Sequence, residues 1–214
     1  MAAMIMGKGS QIERDSFSLI EAGMKRHFDE QLLPIVKRVI HATGDFEFEA
    51  ILKFHPDAVR SGIAAIRAGK DIFADVKMVE AGINKKALSR FGGAVICHIS
   101  DEDVEKAAEE KAMTRAGCAV EKAFYNNNNA VNIGIAAIGN APTALIRLME
   151  IIGDGGLWPG LIVGVPVGFV KAEESKAALF GKPYPYITCL GKKGGSPIAA
   201  AIINAIIKLA GSHE

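Results

Sequence analysis

Apolar residues in the first third of the chain recur at the three- and four-residue spacing of amphipathic helices. A first helix is predicted to begin at the capping-box sequence Ser10-Gln11-Ile12-Glu13 and to end near Arg26. Residues 34–42 and 56–68 predict two more helices, and Gly44 suits the position just past the end of the first of these. Residues 1–69 are therefore predicted to form a helical N-terminal part.

From residue 71 onward, short apolar runs alternate with helical stretches. The runs are 71–74, 94–98, 130–138, 161–167 and 186–190, and the helical stretches are 76–81, 103–125, 142–152, 172–180 and 197–210. Strands that are apolar on both faces and separated by helices indicate a parallel sheet covered on both sides. We predict an α/β fold with a three-layer α/β/α sandwich in residues 70–214, and one domain spanning residues 1–214. Five parallel strands suit a flavodoxin-like order, which the pattern by itself does not prove.

The loops that follow the predicted strands are the candidate ligand-binding segments. In open parallel sheets, ligands bind beyond the carboxyl ends of the strands. Loops 139–143 and 191–196 lead directly into helices, whose free N–H groups suit an anion. Asp71 and Asp75 flank the first parallel strand, and one of them is expected to cap the helix that follows.

Composition narrows the classes of function. The 214 residues are 50% hydrophobic and carry a net charge of +1, so neither nucleic acid nor a membrane is an expected partner. The three cysteines lie far apart, which favours reduced thiols in the cytoplasm over disulfides or a metal site. No signal peptide or membrane span is expected. Nucleotide-binding motifs with the correct spacing are missing from the sequence, so no cofactor is expected.

His41 stands out near the end of the second predicted helix. On a helical wheel the apolar face of that helix comprises Ile35, Val36, Val39 and Ile40. His41 falls on the opposite side, together with Lys37 and Arg38. Helix position alone favours an exposed histidine without function, whose cation the helix dipole stabilises by ~0.3–1 kcal/mol. The functional interpretation is a general acid or base that faces an anionic ligand beside two cations.

Two further residues have ordinary structural interpretations when considered singly. Ser16 is predicted on the apolar face of the first helix, where a hydroxyl usually bonds to a carbonyl of its own helix. Arg115 belongs to a charge-rich stretch in which most arginines are solvated. Ser16 could instead contact a ligand between helix and sheet.

Four long stretches occur in a family-specific order: RVIHATGD, IGNAPTALIRLMEII, VGVPVGFVKAEESK and KKGGSPIAAAIINAI. With the shorter pieces IERDSF, FHPDAV, DVKMVEAGI and MTRAG, they resemble the precorrin-8X methylmutase family of the corrin (vitamin B12) pathway nearly end to end. The resemblance implies an isomerase that moves a methyl group from C-11 to C-12 of precorrin-8X or cobalt-precorrin-8, giving hydrogenobyrinate or cobyrinate. The motif details favour the cobalt-containing ring.

The same resemblance implies roles for individual residues. His41 corresponds to the catalytic histidine, an acid toward the corrin ring. The implied substrate contacts are Ser16, Arg38, Arg115, Gly139, Asn140, Thr143, Gly194, Gly195 and Ser196. Lys192 stands where many relatives have arginine, and lysine grips a carboxylate less specifically. A homodimer with each active site near the interface is implied as well, with a corrinoid tetrapyrrole as substrate and no cofactor.

Two other interpretations remain open from the residues. A flavodoxin-like carrier of a corrinoid or flavin would keep the strand-end loops and have no need of His41. A phosphate- or nucleotide-dependent enzyme could use the loops at 139–143 and 194–196, although the missing nucleotide motifs weigh against it.

Overall fold

The computed structural model describes residues 2–125, 132–156 and 158–212. Its sheet has six strands in the order β1-β6-β5-β4-β2-β3, with β1 antiparallel to β6 and every other neighbouring pair parallel. The strands are β1 Leu52–Phe54, β2 Asp71–Ala74, β3 Val95–Ile96, β4 Ile133–Ile138, β5 Leu161–Gly164 and β6 Tyr186–Cys189. Residues 130 and 131 of the third predicted apolar run lie outside the described residues.

Helices cover both faces of this sheet. Within the described ranges they are α1 Ala2–Gly23, α2 Leu33–Thr43, α3 Phe48–Ile51, α4 Ala58–Arg67, α5 Lys77–Gly82, α6 Lys85–Leu88, α7 Glu102–Glu110, α8 Arg115–Phe124, α9 Pro142–Gly153, α10 Ala172–Phe180 and α11 Ser196–Gly211. A 3-10 turn at Ser89–Phe91 follows α6. None of the described helices is both long enough and apolar enough to cross a membrane.

The five predicted parallel strands are confirmed, and so is their order. Numbered among themselves, they lie in the order 2-1-3-4-5, which is the flavodoxin-like arrangement. One core lies between the sheet and α2, α4, α5 and α11; a second lies between the opposite face and α7, α8 and α9. The predicted three-layer sandwich is therefore correct.

The sixth strand lies within the part that was predicted to be helical. β1 has three residues and pairs at the sheet edge, Leu52 opposite Cys189 and Phe54 opposite Ile187. Only Leu52 is fully buried, so the segment lacks the continuous apolar run that marks a central parallel strand. It forms a strand by pairing with β6, which is more than 130 residues away in the chain. The local pattern of apolar residues cannot predict such a pairing.

Two helix boundaries also differ from the predictions. The predicted helix 103–125 is two helices, because Ala112 adopts a left-handed backbone and the side chain of Thr114 caps α8 by accepting the amide of Gly117. The predicted cap at Ser10 is wrong: helix α1 begins at Ala2, so Ser10 lies inside it. The capping-box pattern occurs here in a helix whose backbone simply continues upstream.

Candidate active site

The strand order reverses direction between β2 and β4, which are adjacent in the sheet. Asp75 connects the loops that follow these two strands. Its carboxylate accepts hydrogen bonds from the amides of Gly139 (3.0 Å), Asn140 (2.8 Å) and Ala141 (2.8 Å). The side chain is fully buried, which raises the pKa of its carboxyl, while the three amide donors oppose that shift. Asp75 thus fills the amide pocket at the start of α9.

This pairing corrects two expectations. Asp75 caps the segment before α9 rather than the helix that follows its own strand. The amides of Gly139 and Asn140, expected to be free for an anion, are already bonded to a protein carboxylate. The Asn140 side chain is exposed and remains available for a ligand.

The loop between β6 and α11 packs tightly against the end of β5. A Cβ atom on Gly194 would lie 2.3 Å from the carbonyl oxygen of Val165, so a larger residue does not fit there. The amide of Gly195 donates to that same carbonyl at 2.8 Å. Ser196 begins α11 and is buried, and its Cα would lie 2.9 Å from a Cβ placed on Gly139. The two predicted binding loops therefore touch.

Thr143 and Arg115 lie together on the other face of the sheet. The hydroxyl of Thr114 donates to that of Thr143 at 2.8 Å, which fixes the start of α8 beside the start of α9. Arg115 is the first residue of α8; it is exposed, and its guanidinium is 2.8 Å from Glu105. The break in the predicted long helix is what brings Arg115 to a helix start at the binding edge. None of the contacts among described residues joins Arg115 to His41.

His41 lies where the helical wheel predicts. The four apolar residues of α2 are buried and His41 is exposed, one turn before the helix ends at Gly44. Gly44 has φ +67° and donates its amide to the carbonyl of Ile40 at 2.7 Å. The ring of Phe17 from α1 packs against the imidazole, with centroids 5.2 Å apart and planes inclined by 53°.

Carboxylates from α1 engage both cations beside His41. Arg38 contacts Glu13 at 2.6 Å and lies over the Phe17 ring, 4.7 Å from its centroid. Lys37 contacts Glu21 at 2.5 Å. The hydrogen bond from Arg38 lowers the pKa of Glu13, partly against the effect of burial. A ligand carboxylate at Arg38 therefore has to displace Glu13.

Ser16 has a different environment from the one predicted. It is half-buried, but Ile12 and Leu19, expected on the same buried face, are 65% and 74% exposed. Ile20 and Met24, expected on that face as well, do pack against the core, and Phe17 contacts His41. Ser16 is adjacent in sequence to Phe17, which places it at the border of the surface that meets α2.

Lys193 joins the end of α2 to the β6–α11 loop. Its ammonium lies 2.5 Å from Asp45 and 2.7 Å from Glu47, both just beyond His41 in the chain. The hydrogen bond from Lys193 also lowers the pKa of Asp45. Lys193 therefore links the loop that contains Gly194 and Gly195 to the segment that follows His41, although about 150 residues separate the two in sequence.

A groove runs along the outer surface of α11 from the Arg38 side. One cavity of about 260 Å³ lies between α1, α2 and α11, and an adjoining cavity of about 650 Å³ continues past Arg90. Arg38, Lys208 and Ser212 line both. The first is lined mainly by apolar side chains with cations at its rim. His41 and the loops at 139–143 and 194–196 line neither cavity, and the lining residues of α11 lie toward the end of that helix opposite to Ser196. Of the proposed site residues, Arg38 alone lines these two cavities.

The sequence reasoning missed Phe17, Glu13 and Lys193 as site residues. Glu13 and Phe17 share the helical face that also carries Ile20 and Met24, so a wheel drawn for 13–24 with Phe17 included could have indicated them. Lys193 carried no such signal, because its partners Asp45 and Glu47 are distant in the chain. Among the described residues, no group of histidine, cysteine and acidic side chains could hold a metal ion.

Comparisons with known proteins identify the family. The family model described as Precorrin-8X methylmutase matches residues 11–209. A relative named Cobalt-precorrin-8 methylmutase from Priestia megaterium is 46% identical over 203 residues, covering 94% of this chain and 88% of the relative. One of the same name from Leptospira interrogans is 44% identical over 212 residues, covering 96% of each.

A solved structure has the same fold. The crystal structure described as precorrin-8x methyl mutase from Thermus thermophilus superposes with a TM-score of 0.85 at 40% identity, covering 94% of this chain and 96% of that one. The family model spans most of the chain, and the relatives match it nearly end to end. The chain therefore belongs to the precorrin-8X methylmutase family.

Proposed function

We propose that this protein is an isomerase of cobalamin biosynthesis that moves a methyl group from C-11 to C-12 of the corrin ring, with His41 as general acid. The observation that carries the proposal is the position of His41. Its imidazole is exposed near the end of α2 and is contacted by Phe17, and Lys193 joins the segment just beyond it to the loop that contains the glycines at 194 and 195. A histidine that only stabilised the helix end would need neither neighbour.

The chemistry calls for a single acid. In the proposed step, the imidazolium donates a proton to the ring, the methyl group migrates within the same molecule, and a proton returns to the imidazole. The atoms balance without a second substrate or a redox partner. Histidine suits this task because its ordinary pKa lies close to neutral pH.

The substrate's acetate and propionate arms require several anion contacts. We assign Arg38 to one arm, reached when Glu13 is displaced, and Arg115 to another. The Asn140 side chain, the Thr143 hydroxyl and the loop of Gly194, Gly195 and Ser196 are assigned to further polar contacts, with Ser16 beside the ring. Gly139 acts indirectly, because its close approach to Ser196 sets the distance between the two loops.

The cobalt-containing ring is the substrate we favour. The relatives named Cobalt-precorrin-8 methylmutase from Priestia megaterium and Leptospira interrogans are 46% and 44% identical to this chain. A relative named Precorrin-8X methylmutase from Sinorhizobium is 38% identical over 204 residues. The identity to these two relatives, higher than that to the Sinorhizobium relative, supports cobalt-precorrin-8 as substrate and cobyrinate as product, although other relatives with the cobalt name are 34–38% identical.

An assay with both rings tests the function and the choice of substrate. Purified protein is mixed with cobalt-precorrin-8 or with metal-free precorrin-8X, and the absorption spectrum is followed as the chromophore rearranges. We expect a higher kcat/KM for the cobalt ring. Stoichiometric binding of both rings without spectral change would instead favour a corrinoid carrier.

We also propose a cytoplasmic homodimer. The outer face of α1 presents Ile12 and Leu19 to solvent, and burying two such large apolar side chains is favourable. Three buried free cysteines suit a reducing compartment. A second copy packed on α1 would place the partner close to Ser16, Phe17 and His41.

A further inference from the structure

A lysine is completely buried behind the proposed substrate loop. Lys176 on α10 has no exposed surface, and its ammonium donates a hydrogen bond to the carbonyl of Lys193. The Sγ atom of Cys189 lies 3.8 Å from the same ammonium and donates to the same carbonyl at 3.2 Å. No carboxylate within the described ranges forms an ion pair with Lys176.

A contribution to the stability of the fold does not explain why a lysine is buried at this position. Removing a charge from water costs several kcal/mol, and a single carbonyl and a thiol offset it poorly. Burial accordingly lowers the pKa of Lys176 and raises that of Cys189 to about 11, so the thiol remains neutral. An apolar side chain of the same length would fit the protein interior better.

The carbonyl that Lys176 holds belongs to Lys193, within the loop between β6 and α11. The side chain of Lys193 reaches Asp45 and Glu47 beyond the end of α2, while its carbonyl faces Lys176. The next residue, Gly194, lies against Val165 and Pro166. Lys193 is therefore fixed at two points: its ammonium binds the segment that follows α2, and its carbonyl binds a side chain in the protein interior.

We propose that Lys176 is a positioning residue for substrate binding, which acts through the carbonyl of Lys193 to hold Gly194, Gly195 and Ser196 against the His41 end of α2. This inference rests on the proposed function for the identity of the ligand, a carboxylate arm of the corrin ring.

Lys176→Met tests the proposal, because methionine has a similar length and lacks the charge and the donors. A purely structural lysine would lower the melting temperature when lost. We expect a melting temperature equal to or above that of the wild type. We expect faster hydrogen exchange at the amides of Gly195 and Ile198, and a KM about tenfold higher with kcat nearly unchanged. The matched control is Lys182→Met, at a half-exposed lysine just past the same helix, which should behave as wild type.

The readouts separate this inference from the proposed function. If the wild type shows no turnover, the function is wrong, and the exchange rates still test whether Lys176 orders the loop. Unchanged exchange in Lys176→Met overturns the positioning role. Faster exchange with an unchanged KM overturns the link between the loop and the substrate.

A measurement on the unaltered side chain covers the case in which Lys176→Met does not fold. The protected ammonium of Lys176 can be observed by nitrogen-15 NMR and assigned by its loss in Lys176→Arg. Saturation with cobalt-precorrin-8 should shift this resonance, because the ligand bonds to the loop that the ammonium holds. A resonance that does not move at saturation overturns the proposal.

Discussion

His41 is exposed because it lies on the side of α2 opposite to the four buried apolar residues of that helix. Buried Ile35, Val36, Val39 and Ile40 fix the rotation of the helix, and His41 consequently points away from the core. Gly44 ends the helix one turn later. The position of the imidazole is thus a consequence of local sequence, whereas its contact with Phe17 depends on the packing of α1.

Replacing His41 by alanine should abolish most of the turnover while substrate binding persists. General acid catalysis typically contributes about 10²–10⁴-fold, so kcat should fall by at least about 100-fold with a KM close to that of the wild type. Steady-state kinetics with cobalt-precorrin-8 measures both. His27→Ala, at another exposed histidine, is the matched control and should retain full activity. Near-normal turnover by His41→Ala would refute the assignment.

Arg38 and Glu13 should have opposite effects on substrate binding. Glu13→Gln removes the carboxylate that forms an ion pair with the Arg38 guanidinium, so KM should fall. Arg38→Ala removes a charged hydrogen bond to the substrate, so KM should rise by about tenfold or more. Arg60→Ala, at an exposed arginine, serves as control. Equal KM values for all three variants would show that Arg38 only pairs with α1.

At the scale of the elements, Asp75 determines how the strand-end loops are joined. Its carboxylate satisfies three amides of the β4–α9 segment, which would otherwise be available to a ligand. Periodicity identified β2, β4 and α9 correctly, and it also placed Asp75 at a strand end. Only the adjacency of β2 and β4 in the sheet shows that Asp75 bonds to a loop more than 60 residues downstream.

Asp75→Asn should destabilise the fold. One carboxylate oxygen accepts the amide of Gly139 and the other accepts those of Asn140 and Ala141. An asparagine amide has one acceptor oxygen, so one or two of these N–H groups would lose their acceptor, at a cost of about 2–4 kcal/mol in the free energy of unfolding. Urea denaturation followed by circular dichroism measures the change. Asp154→Asn, at an exposed position, should alter the free energy of unfolding by less than about 0.5 kcal/mol. A fully stable Asp75→Asn protein would contradict the capping role.

At the scale of the whole molecule, α1 lies over α2 through one face and presents apolar residues on the other. The contacts of Glu13 and Phe17 place it beside His41, while Ile12 and Leu19 remain exposed. An exposed apolar helix face next to a candidate site is the arrangement expected if a second subunit completes the site.

Charge on the outer face of α1 should dissociate the homodimer. We expect the wild type to sediment as a dimer, and Ile12→Glu/Leu19→Glu to sediment mainly as a monomer in analytical ultracentrifugation. A variant with two exposed polar residues of α1 changed, Gln11→Glu/Ser18→Glu, adds the same charge without removing apolar surface and should remain dimeric. A wild type that is monomeric at all concentrations would exclude the proposed assembly.

The sequence by itself determined the elements whose residues interact locally or are uniformly apolar. The parallel strands, the rotation of α2 and the exposure of His41 follow from periodicity and from continuous apolar runs. The family resemblance supplied the residues proposed to act on the substrate, and their roles remain predictions.

Tertiary structure alone decided the features that depend on contacts between distant segments. These are the pairing of β1 with β6, the capture of the β4 loop by Asp75, the pairing of Arg38 with Glu13, and the bridge of Lys193 from its loop to the end of α2. Each needs two segments to meet only after the sheet and its helices have packed. The physical reason is that the local pattern of apolar residues shows which face of a helix or strand is buried. It does not show which polar group of a distant segment will form a hydrogen bond or ion pair with that element.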